Sequence, residues 1–184
     1  MCPMHTAPRP TFQSFAVSLL VITLAAACTH LEPRPTPPPP TPPPNAADLP
    51  CIQTPHGCIS LNPDVTPATI HETICVPGYT KSVRPSTTYT NGVKRKLLRK
   101  SGLPDTDAGR YELDHIIPLA LGGHPRKLSN LMLQPWDGEH GAKRKDHLEV
   151  RLHVEVCHGS KSLETAQHCI ADDWEACASR NHVE

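Results

Sequence analysis

The chain has 184 residues, with 18 Lys and Arg balanced by 18 Asp and Glu, and only 4% of its residues are aromatic. This composition excludes coiled coils, membrane enzymes and large multidomain assemblies, and the balanced total charge gives no case for a polyanion partner. Residues 51–184 are left once an N-terminal leader and a tether are set aside, which is enough for one domain with a modest core.

Residues 1–27 are predicted to be an export signal. Phe12–Ala27 is an uncharged, apolar run of signal-peptide length, shorter than a membrane-spanning helix. Three alanines precede Cys28, an arrangement that resembles a bacterial lipoprotein cleavage site with Cys28 as the lipidated first residue. Ordinary cleavage after Ala27 is the alternative. We therefore expect an exported, periplasmic protein that contacts the cell envelope membrane only through a lipid anchor.

Residues 28–50 are predicted to be a tether. Nine of the twelve residues from Pro33 to Pro44 are proline. Such a run adopts the extended polyproline II conformation and packs no core, so we expect a spacer between the membrane and the domain.

The cysteines beyond residue 50 predict disulfide bonds in an oxidising compartment. Zinc binding is the competing use, but the chain has no CxxC pair. If Cys169 and Cys177 lie on one continuous helix, they are about 12 Å apart along it, too far for a disulfide. Their partners are then expected elsewhere, in the arm between Cys51 and Cys75. The candidates are Cys51, Cys58, Cys75, Cys157, Cys169 and Cys177.

The order of the predicted elements indicates a small α+β domain. Residues 51–90 lack periodicity and are expected to form an irregular arm pinned by disulfides. Turn residues and apolar spacing define the elements that follow. These are a helix capped by Thr90 or Asn91 and ending at Gly102, a strand within 111–123 broken at Pro118, a strand at 129–136, and helices at 141–156 and 163–178.

The segment LDHIIPLALGG contains a carboxylate next to an imidazole, Asp114 and His115. Neighbouring side chains on a regular strand point to opposite faces, so a shared site requires a bend, which Pro118 and the nearby glycines allow. Together with SNL at 129–131 and the helix after it, this segment resembles the HNH endonuclease family. The resemblance covers about 100 residues through CVPGYTKSVRP (75–85), YELDHIIPLALGG (111–123), NLMLQPW (130–136), KDHLE (145–149), VCHG (156–159) and LETAQHCIADDW (163–174).

The resemblance implies a ββα-metal fold, in which a two-stranded hairpin packs on a helix and one divalent ion (Mg²⁺, Mn²⁺, Zn²⁺ or Ni²⁺) lies between them. It implies that Asp114 binds the metal and that His115 is the general base for water attacking a phosphodiester. It implies that Asn130 holds the loop and orients the histidine. This chemistry suits a histidine near neutrality and a hard cation that neutralises the phosphate.

The third position of the motif departs from the family pattern. The family places a metal-binding His or Asn at the start of the helix, where this chain has Gly141 and Lys143. His140 is the best replacement ligand, and His147 is the fallback. If both are surface histidines, the domain binds metal weakly or is inactive.

A positive face is predicted despite the neutral total. Residues 81–157 contain 14 Lys and Arg against 9 Asp and Glu, whereas residues 161–184 contain 2 against 5. Such residues contact phosphates without reading bases, so we expect little sequence preference. The candidates are Lys94, Arg95, Lys96, Arg99, Lys100, Arg126, Lys127, Lys143, Arg144 and Lys145.

The sequence therefore predicts a metal-dependent HNH endonuclease that hydrolyses DNA outside the cytoplasm. Two alternatives remain open. One is a noncatalytic HNH-fold module that binds nucleic acid or a protein. The other is a structural envelope lipoprotein in which Asp114, His115 and Asn130 only stabilise a tight hairpin.

Overall fold

The computed structural model describes residues 49–183. The predicted export signal, Cys28 and nearly all of the predicted tether lie outside these residues. Within residues 49–183, no helix combines the length and the apolar character needed to cross a membrane.

The N-terminal arm begins with an antiparallel hairpin of β1 (Cys51–Thr54) and β2 (Gly57–Ser60). Ile52 lies opposite Ile59, and both are buried. A 3₁₀ turn (Ile70–Glu72) and a short helix, α1 (Tyr79–Val83), follow. The prediction that cysteines pin residues 51–90 is confirmed by the disulfides of Cys51 and Cys75. The prediction of irregular structure there is wrong for the hairpin, because its strands are too short to show periodicity.

Helix α2 (Thr87–Lys100) begins earlier than predicted. Ser86, which precedes it, has extended backbone angles, and its Oγ accepts a hydrogen bond from the backbone N–H of Tyr89 at 3.4 Å. This serine satisfies an N–H group of the first turn, so the helix starts there and not at Thr90 or Asn91.

The central hairpin consists of β3 (Tyr111–His115) and β4 (Leu131–Pro135), which pair antiparallel. Glu112 lies opposite Gln134, and Asp114 lies opposite Met132. The first strand ends at His115, earlier than predicted. The structure also has 3₁₀ turns at Asp105–Arg110, Leu119–Leu121 and Leu128–Asn130.

Two helices complete the domain, α3 (Ala142–Cys157) and α4 (Leu163–Arg180). The apolar stripe predicted for α3, Leu148, Leu152 and Val156, is buried in the same core as Ile170 of α4. The described residues thus form a mixed domain with two small antiparallel hairpins and several helices, in agreement with the predicted α+β class.

Three disulfides join Cys51 to Cys58, Cys75 to Cys157, and Cys169 to Cys177. The expectation that Cys169 and Cys177 bond elsewhere is wrong, because α4 is not continuous. Asp173 has non-helical angles (φ −162°, ψ 91°), and the kink brings the two Cα atoms to 5.4 Å. Asp173 Oδ1 then accepts a hydrogen bond from the N–H of Ala176 at 2.9 Å. The predicted use of these cysteines in disulfides is confirmed, and it indicates a non-reducing, extracytoplasmic environment.

Candidate active site

The imidazole of His115 is held at the end of β3 by one hydrogen bond. Its Nε2 lies 3.2 Å from the carbonyl oxygen of Pro125. A carbonyl oxygen only accepts, so Nε2 carries a proton and donates, which leaves the lone pair of the neutral ring on Nδ1. Burial lowers the pKa of His115, although the Pro125 carbonyl and Asp114 act in the opposite direction. The ring is therefore neutral near pH 7, and its Nδ1 is available as a base.

Asn130 fixes the loop that carries Pro125. Its side chain is fully buried. Its Oδ1 accepts from the N–H of Ile117 at 2.8 Å, and its Nδ2 donates to the carbonyls of Ile117 at 3.0 Å and His124 at 3.1 Å. These bonds close the loop next to Pro125, so the amide supports the position of the His115 ring.

The same loop comes so close to itself that one position has no room for a side chain. A Cβ added at Gly123 would lie 1.7 Å from the carbonyl oxygen of Ile117 and 2.6 Å from Nδ2 of Asn130. Only glycine fits there. This tight packing places the Asn130 amide against the backbone that it bridges.

His115 opens into a cleft of about 240 Å³, called here the His115 cleft, which is defined by Arg84, Lys94, Glu112, His115 and Trp136. The first turns of α2 also line it. Two cationic side chains and the positive end of a helix dipole therefore surround the imidazole, and this combination favours an anion.

Asp114 belongs to a different environment, called here the buried ion cluster and defined by Asp114, Lys145 and Glu149. Lys145 is 1% exposed, and its Nζ donates to Asp114 Oδ2 at 2.8 Å, to Glu149 Oε1 at 2.5 Å and to the His115 carbonyl at 2.8 Å. Burial acts to lower the pKa of Lys145, but Glu149 and Asp114 outweigh it and raise the pKa. The ammonium group therefore stays charged.

The buried ion cluster also holds the backbone of the histidine. Asp114 Oδ1 accepts from the N–H of His115 at 2.7 Å, while Lys145 binds the His115 carbonyl. Because β3 stays regular through His115, the carboxylate faces α3 and the imidazole faces the cleft. The bend that a shared site would require does not occur.

Glu112 and Gln134 are two polar residues that sequence reasoning did not single out. Burial, then Asp114 and Asp146, raise the pKa of Glu112 to about 7. Among residues 49–183, neither Glu112 Oε2 nor Gln134 Oε1 has a hydrogen-bond partner, and both atoms are buried. The available signal was the spacing in YELDH, since Glu112 and Asp114 are two residues apart and share a face of the strand.

The structure does not bring Asp114 and His140 together as ligands of one ion. His140 is 68% exposed at its side chain, and its Nδ1 lies 2.6 Å from Glu175 Oε1 of α4. Both oxygens of Asp114 already have partners within the protein. His147, the fallback ligand, is exposed. These residues therefore do not fit the implied metal ion in the predicted arrangement.

A different group in the described part of the chain has metal-ligand spacing. The ligand atoms of Cys75, His153 and Cys157 all lie within 4.8 Å of one another, and this is the only such group of three found among residues 49–183. The three residues could bind a metal ion. Because the two sulfurs form a disulfide, the oxidised protein offers only the imidazole.

The predicted basic residues fall into separate environments. Lys94 lines the His115 cleft, and the Arg126 guanidinium lies 5.1 Å from the centre of the Tyr89 ring. The prediction that Lys145 belongs to the positive face is wrong, because Lys145 is buried and ion-paired and is not part of an exposed basic surface. Arg84, which lies outside the predicted basic face, lines the cleft instead.

Several other predicted basic residues have acidic or aromatic partners. Arg99 lies 3.6 Å from Asp105, and Lys143 lies 2.6 Å from Asp137. Arg144 stacks at 5.6 Å over the Trp174 ring. Of the predicted basic residues on α2, four are exposed, namely Arg95, Lys96, Arg99 and Lys100.

Comparison of the chain with protein-family models, with curated proteins and with solved structures found no match. The resemblance to HNH endonucleases therefore stays a prediction from the sequence. The function has to be inferred from the geometry of the described residues.

Proposed function

We propose that this domain is a phosphodiesterase of the HNH type that hydrolyses nucleic acid, DNA in the first instance, outside the cytoplasm. The observation that carries the proposal is the His115 cleft. It combines an imidazole whose Nδ1 is free with two cations that suit a phosphate.

His115 supplies the base. With Nε2 donating to the Pro125 carbonyl, Nδ1 accepts a proton from a water molecule that attacks phosphorus. The bond from phosphorus to one sugar oxygen breaks, and the leaving oxygen takes a proton from solvent. As the ring becomes positively charged, the bond to Pro125 strengthens, because a charged donor forms a stronger hydrogen bond. Asn130 keeps the loop in place during this step.

Arg84 and Lys94 bind the substrate. A phosphodiester is anionic in both the ground state and the transition state, so fixed cations beside it hold it throughout the attack. The two side chains lie on α2 and on the segment just before it, and they share the cleft with the imidazole. They contact the backbone of the nucleic acid, which accounts for little sequence preference.

The ββα arrangement is supported by the order of elements. The β3–β4 hairpin is followed directly by α3, and Lys145 of α3 bonds to Asp114 of β3. A divalent ion remains part of the proposal, but no step above passes through it, since Asp114 and His140 do not fit as its ligands.

The proposal includes export and a lipid anchor at Cys28. The three disulfides support a non-reducing compartment. Fractionation of cells that express the full chain, with Cys28→Ala as the control, tests the anchor. The variant should move from the membrane fraction to the soluble periplasmic fraction.

The test of the activity is plasmid cleavage by the full, oxidised chain in Mg²⁺ or Mn²⁺, with RNA as a second substrate. His115→Ala should lower the cleavage rate by about 10²- to 10⁴-fold, the usual contribution of a general base. His147→Ala, an exposed histidine on α3, is the matched control and should cut normally. Unchanged cutting by His115→Ala would remove His115 as the base.

One observation favours the noncatalytic alternative. The predicted metal ligand Asp114 is already neutralised by Lys145. If the oxidised full chain binds plasmid through Arg84 and Lys94 but does not cut it with any divalent ion, the domain is a binding module.

A further inference from the structure

Two buried oxygens on directly opposed residues of the central hairpin have no donor. Glu112 and Gln134 are cross-strand partners, so their side chains lie on the same face with Cβ atoms roughly 5 Å apart. Glu112 Oε2 and Gln134 Oε1 both lack a hydrogen-bond partner among residues 49–183. Gln134 is 3% exposed, so bulk water does not satisfy its oxygen.

The orientation of the Gln134 amide is fixed by its other atom. Its Nε2 donates to the carbonyl oxygen of His140 at 3.1 Å. Exchanging the nitrogen and the oxygen would place two acceptors against each other at that contact. The oxygen is therefore the free end of the amide, on the face that Gln134 shares with Glu112.

Among the residues that the structure describes, neither of the cations near this pair is a hydrogen-bond or ion-pair partner of its free oxygens. Lys145 is taken up by Asp114 and Glu149, and it makes no hydrogen bond with Glu112. Asp114 and Asp146 act to raise the pKa of Glu112, whereas Lys145 and Arg84 act to lower it, so charges of both signs lie close by. Arg84 lines the same cleft but forms no ion pair with Glu112 in the described part of the chain.

We propose that Glu112 Oε2 and Gln134 Oε1 bind one hard divalent cation, Mg²⁺ or Mn²⁺, in place of the predicted pair Asp114 and His140. An all-oxygen donor set suits these ions, and Mg²⁺ is ordinarily held by one or two protein oxygens with water in its other positions. His140 contributes through its backbone carbonyl, which orients Gln134, and its imidazole takes no part.

Glu112 borders the His115 cleft together with Arg84 and Lys94, while its side chain lies on the same face of β3 as Asp114. Any role of the cation in hydrolysis rests on the proposed function.

Manganese binding tests the site independently of activity. The oxidised full chain is titrated with Mn²⁺, and free Mn²⁺ is followed by electron paramagnetic resonance. We expect one bound ion per chain, at least tenfold weaker binding in Glu112→Gln and unchanged binding in His140→Ala. Glu112→Gln keeps the shape of the side chain and offers an N–H to Gln134 Oε1, so it should fold normally without the ion.

Gln134→Leu is the second variant, and it should also weaken Mn²⁺ binding at least tenfold. Circular dichroism and a melting curve in EDTA establish that each variant is folded. Absence of Mn²⁺ binding by the wild-type chain would overturn the proposal and would indicate that a proton links the two oxygens. Full affinity in Glu112→Gln, or its loss in His140→Ala, would also overturn it.

The two proposals fail in different ways. A chain that binds Mn²⁺ as expected but leaves plasmid intact keeps the cation site and loses the proposed activity. A chain that binds no Mn²⁺ but cuts plasmid in excess EDTA, with His115→Ala inactive, keeps the activity and loses the cation site.

Discussion

Asp114 and His115 are neighbours in the chain, yet they occupy environments of opposite kinds. In the buried ion cluster, Asp114 is joined to an ammonium group that is itself closed off from solvent. In the His115 cleft, the imidazole keeps one nitrogen free, and two cations face open space. The difference shows that two adjacent polar residues on one strand can have entirely different partners. Whether such a residue can bind a ligand depends on whether its polar atoms already have hydrogen-bond or ion-pair partners within the protein.

The largest expected effect comes from removing the disulfide that joins α3 to the N-terminal arm. Replacing Cys75 and Cys157 by alanine should lower the free energy of unfolding by about 4.5 kcal/mol, because this disulfide closes a loop with a sequence separation of 82. The matched pair is Cys51→Ala with Cys58→Ala, whose separation of 7 predicts a loss of about 2.5 kcal/mol. Urea denaturation measures both. Equal losses of unfolding free energy in the two double variants would show that loop length does not determine how much each disulfide stabilises the domain.

The second prediction tests whether the buried ion cluster is structural. Lys145→Met should destabilise the domain by roughly 4 kcal/mol, since it leaves Asp114 and Glu149 buried without a cation. Lys96→Met, at an exposed position on α2, is the control and should change stability by less than about 0.5 kcal/mol. A small effect of Lys145→Met in urea denaturation would mean that the cluster can open to solvent.

The third prediction tests whether the cleft binds substrate. Arg84→Ala should raise KM for DNA about tenfold with a smaller change in kcat, because the contact to phosphate is made in both the ground and the transition state. Arg180→Ala, at an exposed arginine of α4 outside the predicted basic face, should leave both constants nearly unchanged. If kcat falls by the same factor as kcat/KM, Arg84 acts mainly on the transition state.

The smallest effect concerns the pH dependence of stability in metal-free buffer. The pKa of Glu112 is about 7 in the folded protein, well above that of an exposed glutamate. Between these values the folded state holds the proton that the unfolded state has lost, so this group reduces stability as the pH rises toward 7.

Glu112→Gln should therefore be more stable than the wild type at pH 8 relative to pH 5. The gain should stay below about 1 kcal/mol, because the carboxyl is only half-buried and its interactions are screened. The lowered pKa of His115 has the opposite effect, because it reduces stability as the pH falls. Both proteins contain His115, so its contribution cancels in the comparison. If urea denaturation gives the wild type and Glu112→Gln the same pH dependence of stability, the raised pKa of Glu112 is refuted.

Periodic patterns predicted the elements whose packing is local. The stripe Leu148, Leu152 and Val156 located α3 to within one residue at each end. The predicted helix at 163–178 also forms, but its kink at Asp173 was not visible in the pattern. Apolar spacing reports which face is buried and does not report a single residue whose backbone leaves the helix.

The candidate site depended on contacts that are distant along the chain. Lys145 was counted with the solvated basic residues because its partner Asp114 lies 31 positions away. Arg84 stands outside the basic run of α2, yet it lines the same cleft as Lys94 of that helix. Glu112 and Gln134 meet through the register of the hairpin, which the sequence leaves open.

The contact between Gly123 and the Ile117 carbonyl has a consequence for mutational scanning. Every replacement at Gly123 would force the loop apart and displace Pro125, the acceptor for the imidazole. A screen that scores only enzyme output would therefore rank this position beside His115, although it has no reactive group. Measuring protein abundance alongside output would separate the two.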